Sequence, residues 1–300
     1  LLGNFTERGT DFRIVASYDS QPYYIVTTPG NQEVLDGLNM ALAHISASNP
    51  NFGTERFNAN FTNLTADILL DEDELSYIKE KKEVTVAVPE GWHPLFSKTT
   101  AESTHEGVVP DLLQEIEDYT GLTFTYMYAR SYLEAIGMVK EGQADILGFY
   151  LDSEENAAEQ GLAVSAPYAS LNNIIVRNKA SNYPDNGLVG GIVEGRQLPS
   201  NIPVSEVKTY PDMAEALAAV DHGEIDFCYG LSNRIEQEIQ RSYFNKVVTV
   251  ALVNDNSSVG FALARPADTT LLTILNKAIN SLDDDEKEDL LNRNMVSIGT

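Results

Sequence analysis

One cysteine in 300 residues, Cys228, excludes a disulfide within the chain, and no CxxC pair offers a thiol redox centre. Its setting, the apolar run Ile225–Gly230, reads as a buried strand. A catalytic thiol would need a histidine partner, and none of the four histidines announces itself as one. Those four (His44, His93, His105 and His222) show no metal-ligand spacing, so no metal is expected. Positive charge is also scarce: 20 Lys and Arg stand against 45 Asp and Glu, a net charge of −25. Phosphate backbones and anionic membrane surfaces are repelled by such a chain, which excludes nucleic acid as a partner. No run approaches the roughly 18 consecutive apolar residues of a spanning helix. No GxGxxG, P-loop or GxSxG is present, so no cofactor and no catalytic residue is assigned.

Hydrophobic residues make up 43% of the chain, enough for two lobes, each with its own core. From Thr65 strands and helices alternate, the pattern of a wound α/β sheet. Helices are expected over Asp71–Lys81 (Leu75 and Ile78 inward), Asp111–Thr120 (Leu112, Leu113, Ile116 and Tyr119 inward, Gly121 stopping it) and Tyr132–Lys140. Strands are expected over Val84–Val88, Thr123–Tyr128, Asp145–Phe149 and Asn173–Arg177. The polar stretch Lys179–Gly187 reads as a connector between lobes. A second unit follows: strands Leu188–Val193, Ile225–Tyr229 and Lys246–Leu252, with a helix carrying Met213, Leu217 and Val220 inward and another over Leu231–Arg241. The chain re-enters the first unit through Val259–Ala264 and a helix from Asp268 to Leu282. The acidic runs Asp71–Glu74 and Asp283–Glu288 read as helix starts, where carboxylates favour the positive end of the macrodipole.

The chain also repeats itself. Tyr24–Ile45 (YIVTTPGNQEVLDGLNMALAHI) aligns without a gap on Phe261–Leu282 (FALARPADTTLLTILNKAINSL), pairing Pro29 with Pro266, Leu35 with Leu272, Leu38 with Leu275, Asn39 with Asn276 and Ala41 with Ala278. Each copy reads as a β-like run, a Pro turn and an apolar-striped helix. The separation is the size of a domain, so residues 1–64 are expected to be the strand–helix tail of an upstream module plus a linker. Residues 65–300 would be a complete module, with one lobe at about 65–178 and 254–300 and the other at about 179–253. The stripe Val34, Leu35, Leu38, Leu42 and Ile45 then needs a surface, on this module or on a second chain through residues 12–45.

Several short motifs carry a family in order. They are Trp92-His93-Pro94-Leu95-Phe96 after the first strand, Gly107 to Leu113 opening a helix, Gly142-Gln143-Ala144-Asp145, Ser165-Ala166-Pro167-Tyr168, Val193-Glu194-Gly195 and Gly223-Glu224-Ile225-Asp226. Over about residues 70 to 295 the chain resembles the family 3 extracellular solute-binding proteins. The resemblance implies a bilobed type 2 periplasmic-binding-protein-like fold, two α/β lobes joined by two crossing strands, with a cleft between the lobes. Tandem modules of this kind resemble the extracytoplasmic sensor regions of bacterial membrane receptors.

In amino-acid-binding members an arginine nine positions before the Pro of the SxPY motif clamps the ligand carboxylate. Here that position is Ala158, and Asp152–Gln160 holds no arginine. The family aspartate that accepts the α-ammonium falls at Leu231, with Ser232 and Asn233 following. A standard amino-acid ligand is therefore not expected. Trp92, His93, Phe96, Phe149 and Tyr150 offer aromatic surface to a ligand, or fill the lobe core in the case of Trp92 and Phe96. Arg196, after Glu194 and Gly195, either replaces the lost clamp or pairs with Glu194 at the surface. Tyr168, Asn172 and Asn173 are hinge hydrogen-bonders or ligand contacts, and Ser232 completes the candidate set. Asp145 and Asp226, each after a Gly-x-x turn, read as structural.

The expectation is a non-enzymatic small-solute sensor that closes about a hinge. Its signal would pass through the helix after Asp283 to membrane-anchored domains of an extracytoplasmic receptor. A transporter's binding component, an enzyme on this fold using His93 or Glu194, and a spacer that binds nothing are the alternatives.

Overall fold

The structure is a computed structural model that describes residues 24–53, 55–56, 70–98, 104–180 and 186–295, apart from the side chains of 251–254. Part of the expected contact surface (12–23), the linker 57–64 and the centre of the polar connector (181–185) lie outside the described residues.

Helix α1 (Gln32–Ser48) buries none of its residues. The segment before it, expected as β-like, forms no strand from Tyr24 to Thr28. The module proper starts at α2 (Glu72–Lys81), nucleated by a capping box in which Asp71 accepts from the Glu74 N–H and Glu74 accepts from the Asp71 N–H. Ile78 faces inward as expected, but Leu75 does not: it is 43% exposed. Glu74 takes the inward place because Lys277 Nζ sits 2.8 Å from its carboxylate, so a paired charge displaces a hydrophobe from the buried stripe.

Strands β1 (Glu83–Pro89), β4 (Thr123–Ala129) and β5 (Ile146–Tyr150) form a parallel set, with β1 between the other two. A small hairpin, β2 (Ser97–Lys98) with β3 (His105–Glu106), leads into α3 (Val108–Thr120). On α3 Leu112, Leu113 and Ile116 are buried, while Tyr119 turns out to solvent at the helix end. Helix α4 (Tyr132–Lys140) follows β4, and the short α5 (Glu154–Glu159) and β6 (Leu162–Val164) follow β5.

The second parallel set is β8 (Val189–Val193), β9 (Glu206–Tyr210) and β10 (Phe227–Leu231), with α6 (Met213–His222) carrying Met213, Leu217 and Val220 into its core as expected. Helix α7 (Ser232–Glu238) continues as a wider π turn over Ile239–Tyr243.

Two long strands join the lobes. β7 (Ala169–Asn178) is longer than the expected Asn173–Arg177, and its Asn173–Arg177 portion already pairs with β10. The chain therefore crosses within β7, upstream of the polar stretch expected to connect the lobes. β11 (Val247–Ala264) is one strand where the sequence suggested two. It pairs antiparallel with β7, then with β5 and β6 in the first lobe. The sheet order is β4-β1-β5-β11-β7-β10-β8-β9, with β6 also on β11. Helix α8 (Thr269–Asn280), capped by Asp268, buries Leu271, Leu272, Ile274, Leu275 and Ile279 in the first lobe. Helix α9 (Asp284–Met295) packs on α3 and β7.

Candidate functional site

The site begins with an irregularity. Ala251 of β11 pairs with Ile174 of β7, but the next pair is Asn256 with Asn172. The extra residues bulge out, and a bulge re-aims a side chain that a regular strand would bury in its ladder. Asp255 is the residue so placed: one carboxylate oxygen accepts from Tyr229 Oη at 3.0 Å and from Asn173 Nδ2 at 3.3 Å.

The first lobe contributes the turn after β5. Tyr132 Oη accepts the Leu151 N–H at 3.1 Å, and Ser153 caps α5 by accepting the Asn156 N–H. Between them Asp152 points across to the second lobe. There the turn after β8 approaches the first lobe so closely that only glycine fits. Gly195 has φ +90°, and a Cβ on it would stand 3.0 Å from Tyr132 Cδ1 and 3.1 Å from Ile136 Cδ1.

Arg196 follows that glycine and is 5% exposed. Its Nε donates to the Asp152 carboxylate at 3.3 and 3.4 Å, and its Nη2 donates to Asn173 Oδ1 at 3.4 Å and Ser257 Oγ at 3.3 Å. The Gln197 N–H adds a bond to Asp152 at 3.1 Å. Burial alone would lower the Arg196 pKa, but the charge and hydrogen bonds of the Asp152 carboxylate hold the guanidinium above its ordinary value. Burial raises the Tyr132 and Tyr229 hydroxyls, so both stay protonated. One network thus ties together the first lobe (Asp152), the second lobe (Arg196, Tyr229) and both crossing strands (Asn173, Ser257).

Beside it opens a cavity of about 640 Å³. Its walls include Asp152, Glu155 and Asn156 of the first lobe, Gln197, Ser200 and Asn201 of the second, and Asn173, Asp255 and Ser257 of the crossing strands. Among the described residues no Lys, Arg or His lines it. The far side of the seam is packed rather than open. Trp92 lies 5.2 Å under the Arg234 guanidinium, which also donates to the Gly91 carbonyl. Trp92, Arg196 and Tyr229 enclose a gap there of only about 10 Å³.

Of the residues singled out from sequence, Asn173 alone lines the large cavity. Trp92 and Arg196 sit in the seam beside it. Arg196 is buried with Asp152 instead of standing at the surface with Glu194. Phe149 is buried under Trp92 (5.4 Å) and Tyr132 (5.8 Å). Phe96 is buried in an outer aromatic cluster with His105 and Tyr126 (5.6 and 5.3 Å). Tyr150 is fully buried, and its hydroxyl has no hydrogen-bond partner among the described residues. Tyr168 is buried too, donating to the Gly148 carbonyl at 2.6 Å. His93 is half-buried before the cis-bonded Pro94. Asn172 is exposed on β7, while its neighbour Asn173 faces the network. Glu194 and Ser232 are half-buried at the starts of their turns. Asp152, Tyr229, Asp255 and Ser257 were not singled out. Asp152 had the weak signal of its position just after a strand, whereas Tyr229, inside β10, and Asp255 and Ser257, on β11, had none.

Among the described residues no group of three His, Cys, Asp or Glu gathers to hold a metal, and no helix is long and apolar enough to cross a membrane.

Comparison with known proteins fits this architecture. Residues 84–295 match the sequence profile of the bacterial extracellular solute-binding proteins, family 3. The chain is 27% identical over 238 residues to the virulence sensor protein BvgS of Bordetella bronchiseptica, covering 76% of the chain and 19% of that protein. It is 21% identical over 220 residues to the sensor protein EvgS of Escherichia coli O157:H7, covering 71% of the chain and 18% of that protein. The chain therefore spans about a fifth of the length of these relatives. Among solved structures, the periplasmic VFT2 domain of Bordetella pertussis BvgS superposes with a TM-score of 0.63 at 24% identity, covering 75% of this chain and 98% of that one. An ancestral arginine-binding protein bound to arginine superposes with a TM-score of 0.55 at 18% identity, covering 71% of this chain and 97% of that one.

Proposed function

The chain belongs to the bacterial extracellular solute-binding proteins of family 3, and from that premise we propose that it is an extracytoplasmic sensor module that binds a small solute between its lobes. The observation that carries this reading is the 640 Å³ cavity where both lobes and both crossing strands meet. A solute there touches every part that moves when the lobes swing, and it can bias the equilibrium only through contacts that differ between open and closed forms. Among the described residues the site has no cationic wall residue, and Ala158 stands where the carboxylate clamp would be, which supports a solute other than a standard α-amino acid.

Similarity to sensor proteins in which such a domain is about a fifth of the length supports membrane-attached signalling domains in the full-length protein. We assign residues 1–64 to the closing strand–helix of an upstream module and its linker. The repeat supports this: the α8 positions Leu271, Leu272, Leu275 and Ile279 are buried in their lobe, whereas their partners Val34, Leu35, Leu38 and Leu42 on α1 are not.

The test is a thermal-shift screen of amino acids, peptides and organic acids on the purified chain. A bound solute at a hundredfold excess over its Kd stabilises the fold by about 2.7 kcal/mol. The expected result is a raised melting point with one chemical class, lost in Asn173→Ala and Tyr229→Ala. No shift across the panel would sink the sensor reading in favour of a spacer.

A further inference from the structure

The Arg196–Asp152 pair has a consequence beyond solute binding. Arg196 belongs to the second lobe and Asp152 to the first, and both side chains are nearly sealed from water, at 4% and 6% exposure. Such a pair persists only where further hydrogen bonds satisfy both charges. Here Asn173 and Ser257 take Nη2, and the Gln197 N–H reaches Asp152. A buried guanidinium between two lobes is the group that would clamp the carboxylate of a solute, because its planar fork matches a carboxylate and cannot lose its proton. In this chain that carboxylate is supplied from within. We propose that Asp152 stands in for a solute carboxylate on Arg196, drawing the lobes together with no solute present and denying Arg196 to carboxylate ligands.

This rests on the solute-binding reading of the cleft, but makes a separate statement about the empty protein. In a module closed only by its solute, the unliganded cleft gapes and the clamp waits in water. Here the clamp is occupied, the Gly195 turn lies against Tyr132 and Ile136, and Arg234 covers Trp92. The solute in the neighbouring cavity then acts on a cleft that is already shut. Asp152 is thus a specificity-determining residue as well as a latch.

The experiment is small-angle X-ray scattering of the solute-free chain, with Asp152→Ala, Asp152→Asn and Arg196→Met beside the unsubstituted protein, in chloride and in acetate at equal ionic strength. Far-UV circular dichroism and a cooperative melt verify that each variant is folded. The unsubstituted chain is expected to be compact in both salts. Asp152→Ala leaves a buried charge and a carboxylate-sized gap, so it is expected to expand in chloride and return to the compact radius in acetate. Arg196→Met is expected to expand in both. An Asp152→Ala chain as compact as the unsubstituted one in chloride, or one that stays expanded in acetate, overturns the proposal. If that variant does not fold, Asp152→Asn decides by its radius in chloride, and an unchanged radius overturns it. The chloride measurements hold no carboxylate solute and the acetate arm reads only the substituted chain, so they fail or succeed independently of the solute screen.

Discussion

Asp145 shows how a carboxylate that looks chemical is structural. It follows the Gly-x-x turn before β5 and accepts from Lys81 Nζ at 2.6 Å, from the Thr85 N–H at 2.8 Å and from Thr85 Oγ1 at 2.9 Å. Burial alone would raise its pKa, but these donors together hold it below the ordinary value. A carboxylate whose pKa is lower folded than unfolded contributes stability above its unfolded pKa and loses it as the pH falls through the folded one. Asp145→Asn is therefore expected to lower the melting point at pH 7, and the gap from the unsubstituted chain should close below about pH 4. A gap that persists into strong acid would refute the linkage. Cys228 is the second case. It is fully buried on β10, and burial pushes its thiol up to about 12, so a thiol reagent should modify it only at the rate of unfolding. The structural role of both residues was legible in sequence, because a turn motif and an apolar run are local, although Lys81 and Thr85, the donors to Asp145, lie 64 and 60 residues away and were not. Asp152 was not, since its partner lies 44 residues away across the seam.

Elements with strong local signals lie where the sequence places them. Tyr132–Lys140 has its expected bounds, and α6, α8 and α9 begin at their acidic caps. The short α5, β6 and β9 were missed, because three to six residues give too little periodicity to separate a strand or helix from a loop. The aromatic loop after β1 depends on one backbone position. Gly107 has φ +129°, a Cβ there would lie 2.3 Å from the Leu95 carbonyl oxygen, and the next two N–H groups bond Pro94 and Leu95. Gly107→Ala is expected to destabilise the fold by about 3 kcal/mol, read as a lower urea midpoint. An unchanged midpoint would show that the loop relaxes freely. The bulge in β11 that delivers Asp255 had no sequence signature at all, since a bulge is defined by its partner strand.

At the scale of the molecule, two lobes share one sheet through β7 and β11, and α1 stands apart from that core. Its end touches the first lobe through polar bonds: Asn51 Nδ2 to the Val164 carbonyl at 2.7 Å, Asn276 Nδ2 to Asn51 Oδ1 at 2.9 Å and Arg265 Nη1 to the Ala47 carbonyl at 3.1 Å. A net worth of about 1 kcal/mol per bond predicts that removing residues 1–56 costs about 1–3 kcal/mol. The urea m value should hardly change, because α1 buries no side chain. A collapse of cooperative unfolding would instead make α1 part of the core.

The sequence by itself determined the alternation of strand and helix, the family to which the chain belongs, the exclusion of disulfide chemistry within the chain and the repeat that sets α1 against α8. These follow from nearest neighbours, caps and periodicity, which act within a few residues. Only the tertiary structure decided where the chain crosses between lobes, which charges are buried and what Arg196 holds. Those depend on groups brought together from residues 152, 173, 196 and 257, and no local preference encodes the meeting of two lobes.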